Sequence, residues 1–557
     1  MKKSKKTISL ILCLFMGLAL LAACSGDSGS GSGTSPASSA PASSSPGGAD
    51  ASPGGGAAQT TTTPAMVAPA PEEEDVVFAE HIELIIDATA IAVLCPMNPA
   101  GTGMSTNWCY EMYFDTLVKL DEPTGAIMPH LATEWTTDDY QTYVFKLRDD
   151  VYFHNGDKFT AHDVVNSHRM ATTGGGGFPS WDYWMRIETA TALDDYTIEF
   201  VCRTVNVDFY YGLTIPYNAI VNEKAVEADP EKGWWVGTGA YKVADFSSRE
   251  YVAFERNDDY WGPLPITKTQ TWRFIPEMAT RTIMLQNGEA DICFELPETD
   301  VGMFIDDPNF EVFLSGGLNP NSLHLNQDDP LMADANFRQA VLYALDRDEV
   351  SILASGDLAL FIEDGSVWGA TTPHRNTDIP LIQQDLQKAQ EFLDASSYNG
   401  EEVVLTTALG YHIRAAQAVQ QQLSRIGINV SINQLDLPGF TAATVWTDNT
   451  TQMSIWTNLL GSSPFGYLNN FGAPSVHNRS KMQDPEMSEL LAALPTMTNE
   501  ADRDAAWKRA QEITFELNTC IPMYRRANAI VARKGAGGLV LPSNGLNDIR
   551  YLFIVEQ

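Results

Sequence analysis

Pro129-His130-Leu131-Ala132-Thr133-Glu134-Trp135, Tyr143-Val144-Phe145-Lys146-Leu147-Arg148, Val151-Tyr152-Phe153-His154-Asn155-Gly156 and Thr160-Ala161-His162-Asp163-Val164-Val165 follow one another in a single stretch. Tyr143, Phe145 and Leu147 alternate with Val144, Lys146 and Arg148, the pattern of a half-buried strand. Asn155-Gly156 tolerates positive φ and predicts a hairpin turn. Thr160 with Asp163 three residues on resembles a capping box and predicts a helix start. The stretch reads as two strands, a tight turn and a capped helix, with no catalytic grouping in it. Leu193-Asp194-Asp195-Tyr196-Thr197-Ile198-Glu199-Phe200 adds a turn and another alternating strand. Residues 115–215 are therefore expected to form a small α+β unit of antiparallel strands.

On either side the pattern changes. Before it, His81–Ile86 reads as a strand and Asn107–Lys119 as a helix, with Tyr110, Phe114, Leu117 and Val118 at helical spacing. After it, Thr280–Asn287 reads as a helix ending at Gly288, followed by a short strand, Ala290–Phe294. An amphipathic run from Phe337 to Arg347, a helix from Ile413 to Ile426 stopped by Gly427, a strand at Ile428–Ile432 and a helix from Asp502 to Leu517 continue the alternation. Strands then follow at Pro522–Tyr524 and Ala529–Ala532. Strand and helix in alternation predict α/β lobes.

With 557 residues the chain is too long for one core and predicts two or three domains. The formal charge is −36, and loss of the four lysines of residues 1–23 would take it to −40. Such a surface repels nucleic acid and anionic lipid.

The first residues carry Lys2, Lys3, Lys5 and Lys6, then an apolar run from Ile8 to Leu21 that is short for a membrane span. Leu21-Ala22-Ala23-Cys24 resembles the bacterial lipobox, in which the cysteine becomes the first mature residue and is lipidated on sulfur. From Ser25 to Pro71 the chain is mostly Gly, Ser, Ala, Thr and Pro, which cannot bury enough apolar surface to offset its ordering entropy. Such a tether has a typical reach on the order of 40 Å. The expectation is a folded body outside the cell membrane, anchored to it by lipid at Cys24.

Five cysteines lie beyond Cys24: Cys95, Cys109, Cys202, Cys293 and Cys520. No pair has metal-ligand or Cys-x-x-Cys spacing. A Cys95–Cys109 bridge and buried free thiols are both open, the latter the simpler reading. No His precedes Glu, no Gly-Lys dipeptide occurs, and no Gly-x-Ser-x-Gly elbow appears in the folded body, so zincin, P-loop and hydrolase motifs are missing. The nine histidines are scattered. No catalytic residue, metal site or cofactor is expected. Aromatic residues near turns are abundant: Trp108, Trp181 to Trp184, Phe209 to Tyr211, Trp234-Trp235 and Trp456. These are core residues or walls of a solute cleft.

Pro129-x-Leu-Ala-x-x-Trp135, Phe145-Lys-Leu-Arg148, Phe153-His-Asn-Gly156 and Thr160-Ala-x-Asp-Val164 together resemble the signature of the dipeptide/oligopeptide/nickel class of solute-binding proteins, the receptors of ATP-driven importers. The resemblance continues through Gly237-Thr-Gly-Ala-Tyr241, Arg256-Asn257 with Tyr260-Trp261-Gly262, Leu285 to Asp291, Phe337 to Arg347 and Gln421 to Gly427.

It implies a two-lobed periplasmic-binding-protein-like α/β fold with an extra small α+β subdomain. The expected division is a signal peptide at 1–23, a tether at 24–77, lobe I from 78–114, 216–320 and 526–557, the subdomain at 115–215, and lobe II at 321–525. Hinge strands are expected near Ser322–Gln327 and Cys520–Val531. It further implies a lipid-anchored monomer that captures a peptide or similar polar solute between closing lobes and presents it to an ABC permease and its ATPase subunits. The alternative is an exported hydrolase, or a sensor or adhesion lipoprotein on the same scaffold. Ligand contacts are expected from Thr106, Asn107, Trp108, Tyr110, Trp456, Asn458 and Ser462. One departure stands out. Receptors of this class carry an aspartate for the ligand's α-amino group soon after a Trp-Thr pair, whereas Trp456-Thr457-Asn458-Leu459-Leu460-Gly461-Ser462-Ser463-Pro464 contains no carboxylate. An ammonium group buried against leucine would be costly. A free-amine peptide is therefore less secure as the ligand, a modified or internal peptide segment, a sugar-like solute or another polar molecule stays open, and no histidine cluster marks a nickel chelate.

Overall fold

The computed structural model describes residues 76–86, 91–98, 104–121, 126–173, 181–315, 317, 319–369, 372–408, 410–457, 470–472, 475, 478–539 and 548–556. Strand β1 (His81–Ile86) leads to helix α1 (Met104–Tyr113), then to a hairpin of β2 (Val118–Asp121) and β3 (Ala126–Pro129). Strands β4 (Ala132–Thr136) and β5 (Thr142–Leu147), helix α2 (Ala161–Thr173), and strands β6 (Ile187–Asp194) and β7 (Thr197–Cys202) follow. Here four strands pair antiparallel in the order β4-β5-β7-β6.

The chain then returns through β8 (Tyr241–Ser247), β9 (Tyr251–Arg256), β10 (Thr269–Phe274), α3 (Met278–Gln286), β11 (Ile292–Phe294) and β12 (Phe310–Ser315). Next come β13 (Asn321–Leu325), α4 (Ala335–Ala344), α5 (Arg347–Ser355), β14 (Ala359–Leu360), β15 (Val403–Thr407), α6 (Gly410–Ser424), β16 (Val430–Gln434), α7 (Leu437–Thr444) and β17 (Met453–Thr457). Helix α8 (Glu500–Leu517), β18 (Cys520–Arg526), β19 (Asn528–Arg533), β20 (Ala536–Gly537) and β21 (Phe553–Ile554) complete it.

Two larger sheets result. One has the order β12-β19-β11-β1-β10-β9-β8, the other β14-β18-β13-β17-β15-β16. They are the sheets of two α/β lobes. The chain passes between them twice, at 316–320 after β12 and at Ala527 between β18 and β19.

Burial explains most of these elements. Tyr143, Phe145 and Leu147 of β5 are buried while Lys146 is exposed, so the alternation read from the sequence is the sheet's own. Thr160 N and Oγ1 both donate to Asp163 Oδ2, at 2.8 and 3.0 Å, and α2 begins at the next residue. Gly156 takes φ +87° at the expected turn, but the flanking residues form an isolated bridge, Tyr152 to Lys158, rather than two strands. Phe153 and Phe159 instead turn their rings into the subdomain core.

Two further expectations are corrected. The helix expected to run to Lys119 stops at Tyr113, because Gly239 N–H takes the Tyr113 carbonyl at 3.1 Å and the chain then pairs as β2. A Cβ at Gly237 would lie 1.8 Å from that same carbonyl oxygen, so only glycine permits this approach. The run from Phe337 to Arg347 breaks at Leu345-Asp346, because Asp346 accepts from Glu349 N at 3.0 Å and caps a new helix. Cys95, Cys109, Cys202, Cys293 and Cys520 are buried free thiols, so the Cys95–Cys109 bridge is not formed.

The sequence motifs meet in space. His154 donates from Nε2 to Gly239 O at 3.0 Å and accepts from Gly237 N at Nδ1, 3.3 Å away. Asp115, 1 % exposed, accepts from Thr238 Oγ1 at 3.0 Å, Trp261 Nε1 at 2.9 Å and Tyr260 OH at 3.2 Å. His130 Nε2 lies 3.3 Å and Arg550 Nη1 3.8 Å from Oδ1, the oxygen that also accepts from Tyr260. Burial works against the Asp115 charge. His130, Arg550, Lys119 and the Trp261 hydrogen bond outweigh it and hold the carboxyl below its usual range. These contacts fasten the subdomain to lobe I.

Candidate functional site

In lobe I, β1 runs parallel to β10 and β11, and helices follow the carboxyl ends of all three. In lobe II, β15 runs parallel to β16 and β17, and α6 follows its carboxyl end. Ligands of open α/β sheets bind outside the carboxyl ends of such strands. Both sets of ends lie on the side where the chain crosses between lobes. Phe294 of β11 pairs with Ile530 close after the Ala527 crossing, and Thr457 of β17 pairs with Asn321 directly after the 316–320 crossing. The cleft is therefore bordered by Phe294 and α1 on one side and by Thr407, Thr457, Asn321 and the start of α6 on the other.

The lobe II wall is aromatic and cationic. Trp456 stacks on Phe440 of α7, with centroids 4.9 Å apart and planes at 23°. The Arg479 guanidinium lies over the Trp456 ring at 5.1 Å. Burial pushes Arg479 down to about 10. Tyr411 and His412 occupy the first turn of α6, and Arg526, the last residue of β18, lies over the Tyr411 ring at 4.7 Å. His412, fully buried, donates from Nε2 to Asn321 Oδ1 at 2.8 Å, and Thr457 Oγ1 donates to the same oxygen at 2.6 Å. Burial first, then the fields of Arg526, Arg479 and His324, lower His412 to about 3, so it is neutral at physiological pH. The titratable groups that lower it are two arginines and a second imidazole. His412 Nδ1, Thr407 Oγ1 and Trp456 Nε1 have no hydrogen-bond partner among the described residues. Buried polar atoms of this kind are normally satisfied, so they are ready acceptors and donors for a solute.

The expected contact residues fall in different places. Trp108 packs on Phe294 at 5.3 Å, at the carboxyl end of the lobe I sheet. Asn107 keeps a buried Oδ1 without partner among the described residues, whereas Thr106 is buried. Tyr110 is fully buried among Tyr113, Phe114 and Tyr217 in the lobe I core. Trp456 belongs to the wall described above. Asn458, Ser462 and Cys24 lie outside the described residues. Of the other aromatic candidates, Trp184 and Phe209 are subdomain core, and Trp234 and Trp235 pack against the lobe I core. Sequence reading did not single out His412, Tyr411, Arg479 or Arg526. The signal available for the first two was position, since they open a helix directly after a strand. For Arg526 it was an arginine ending an otherwise apolar strand.

Among the described residues, no group of three or more His, Cys, Asp or Glu side chains could hold a metal ion, and no helix is long and apolar enough to cross a membrane.

Comparison with known proteins gives the same picture. The family model described as "Bacterial extracellular solute-binding proteins, family 5 Middle" matches residues 126–478. The glutathione-binding protein GsiB of Escherichia coli K12 is 24% identical over 444 residues, covering 75% of this chain and 84% of that protein. Among solved structures, the periplasmic binding protein DppA of Helicobacter pylori in complex with the peptide STSA superimposes with a TM-score of 0.75 at 24% identity, covering 86% of this chain and 99% of that one. The substrate-binding protein CtaP of Listeria monocytogenes gives a TM-score of 0.77 at 20% identity, covering 86% of this chain and all, 100%, of the other. With two lobes joined by two crossings and a family match spanning more than half its length, the chain belongs to the bacterial extracellular solute-binding proteins of family 5.

Proposed function

We propose that this protein is the receptor of an ABC importer and captures a peptide or similar polar solute with a free carboxylate between lobe I and lobe II. The observation that carries the reading is the lobe II wall, where Arg526, Arg479 and a neutral His412 converge beside the Trp456–Phe440 stack. A carboxylate gains charge-assisted hydrogen bonds from arginine, and an aromatic face accepts the remainder of the solute. The missing acid after Trp456 argues against an anchor for a free α-amino group. GsiB is named for glutathione and the DppA structure contains a peptide, which supports a peptide-like solute here.

The proposed lobes are 78–114 with 216–320 and 527–557 on one side and 321–526 on the other, with 115–215 as the subdomain; the bound expected at 525 moves by one residue because Arg526 closes β18 of the lobe II sheet. A two-lobed receptor works by closure, and a solute shifts that equilibrium only through contacts that favour the closed form. Moving it from 1:99 to 99:1 takes about 5.5 kcal/mol. The receptor acts as a monomer that hands the solute to the permease, close to the membrane because a lipid on Cys24 anchors it.

The ligand is best identified by mass spectrometry of protein purified intact and then denatured. Thermal shift with N-acetylated peptides should raise Tm, and the same peptides with an amidated C-terminus should not. Peptide turnover without stabilisation would sink the receptor reading. Arg526→Ala should weaken binding of a carboxylate-bearing peptide by about 1.5–3 kcal/mol, the range of a hydrogen bond to a charged group. For the anchor, Cys24→Ser should move the protein from the membrane fraction to the soluble fraction, and unchanged retention refutes lipidation there.

A further inference from the structure

The subdomain meets lobe II directly, at residues far apart in sequence. Arg503 Nη1 lies 3.2 Å from Asp208 Oδ1, and Val207 N donates to Pro495 O at 3.1 Å. Asp208 is buried, at 3 % exposure. The next residue, Phe209, stacks on Tyr143 in the subdomain core with centroids 4.5 Å apart, which fixes the carboxylate to that body. Arg503 sits in the first turn of α8, at the opposite end from Asn518, where φ of 52° turns the helix into β18. Its other nitrogen, Nη2, donates to Glu500 Oε2 at 2.6 Å, and His374 lies behind, 3.1 Å from Asp504. Burial raises the Asp208 carboxyl, and Arg503 and His374 oppose that rise.

The subdomain is fastened to lobe I through Asp115 and through His154 with Gly237 and Gly239. Lobe II joins lobe I covalently only at 316–320 and Ala527. A contact from subdomain to lobe II therefore bridges two bodies that separate when the hinge opens. We propose that the Asp208–Arg503 ion pair, with the Val207–Pro495 hydrogen bond beside it, is a latch that holds lobe II against the subdomain before any solute arrives. The proposal rests on the reading that the lobes close about this hinge. It sets the resting open-to-closed ratio, and through it the affinity, without touching the solute.

The test places spin labels at Leu193→Cys in the subdomain and Glu489→Cys in lobe II, both exposed positions, in the full-length protein without ligand. The native thiols among the described residues are buried and stay unlabelled. Asp208→Asn and Arg503→Gln should each raise the ratio of the longer-distance to the shorter-distance population roughly tenfold, a shift within the range a few-kcal/mol equilibrium allows. The charge swap Asp208→Lys with Arg503→Glu should return it toward the unsubstituted protein. Distance distributions in the single variants identical to the unsubstituted protein, with near-UV circular dichroism showing them folded, overturn the latch. Should Asp208→Asn not fold, Arg503→Gln carries the test alone, since Arg503 lies on the rim of lobe II. No ligand enters the measurement, so its failure leaves the receptor reading to the peptide and mass-spectrometric tests.

Discussion

Asp115→Ala is expected to cost about 3–5 kcal/mol of stability, the range for removing one partner of a buried charged network. Asp115 accepts from Thr238, Tyr260 and Trp261 together, and it faces His130 and Arg550 as well. Its loss strands the buried donors of Thr238 and Tyr260 and the half-buried one of Trp261, where a buried donor left unsatisfied costs about 1–3 kcal/mol. Arg550 keeps Asp548, which it reaches from Nε at 2.8 Å, so the cation is not wholly abandoned. The damage should be local to the seam where α1, the β2–β3 hairpin, the Tyr260–Trp261 turn and the C-terminal segment meet. Urea titration followed by tryptophan fluorescence measures it, with Asp115→Asn as the milder comparison because an amide oxygen can still accept. A loss under about 1 kcal/mol in Asp115→Ala would show that the network is not a structural hub.

The second large effect is acid lability from two imidazoles held neutral. His412 is lowered to about 3 by burial and by Arg526, Arg479 and His324. His154 is lowered to about 4, mainly by burial. The geometry agrees. Nδ1 of His154 accepts a backbone N–H, which a protonated nitrogen could not do. The unfolded chain binds these protons near pH 6.5, the folded chain only near 3 to 4. Between those values the unfolded state holds more protons, so stability rises with pH there. The contribution is complete above about 6.5 and is lost as pH falls. From pH 6.5 to 5 each histidine should remove about 2 kcal/mol. Denaturant midpoints at pH 7 and pH 5 show the loss, and His412→Gln should shrink it by about that amount. An equal loss in the variant would mean that His412 is protonated within the fold.

Much of the scaffold was legible in the sequence because it is written in local rules. The alternation in β5, the Thr160–Asp163 start of α2 and the glycine stop at Gly427 each follow from contacts within a few residues. The early end of α1 and the break between α4 and α5 were not legible. A carbonyl captured by Gly239 from over a hundred residues away leaves no trace in the helical pattern around Tyr113, and Asp346 reads as one more polar position until its cap is seen.

The site divides in the same way. The chain's own letters determined the family, the alternation of two α/β lobes, and the absence of a carboxylate between Trp456 and Pro464, since these are properties of residue order. Only the tertiary structure decided which residues form the wall. Asn321, the Tyr411-His412 pair, Arg479 and Arg526 come from separate segments, and each reads as an ordinary core or surface residue in sequence, whereas Trp456 was expected at the site. They become a cationic, aromatic surface because strands β13, β17 and β18 pair side by side and bring their ends to the crossing between lobes. Charge and desolvation depend on neighbours in space, so the neutrality of His412 and the enclosure of Arg479 belong to the fold rather than to the sequence around them.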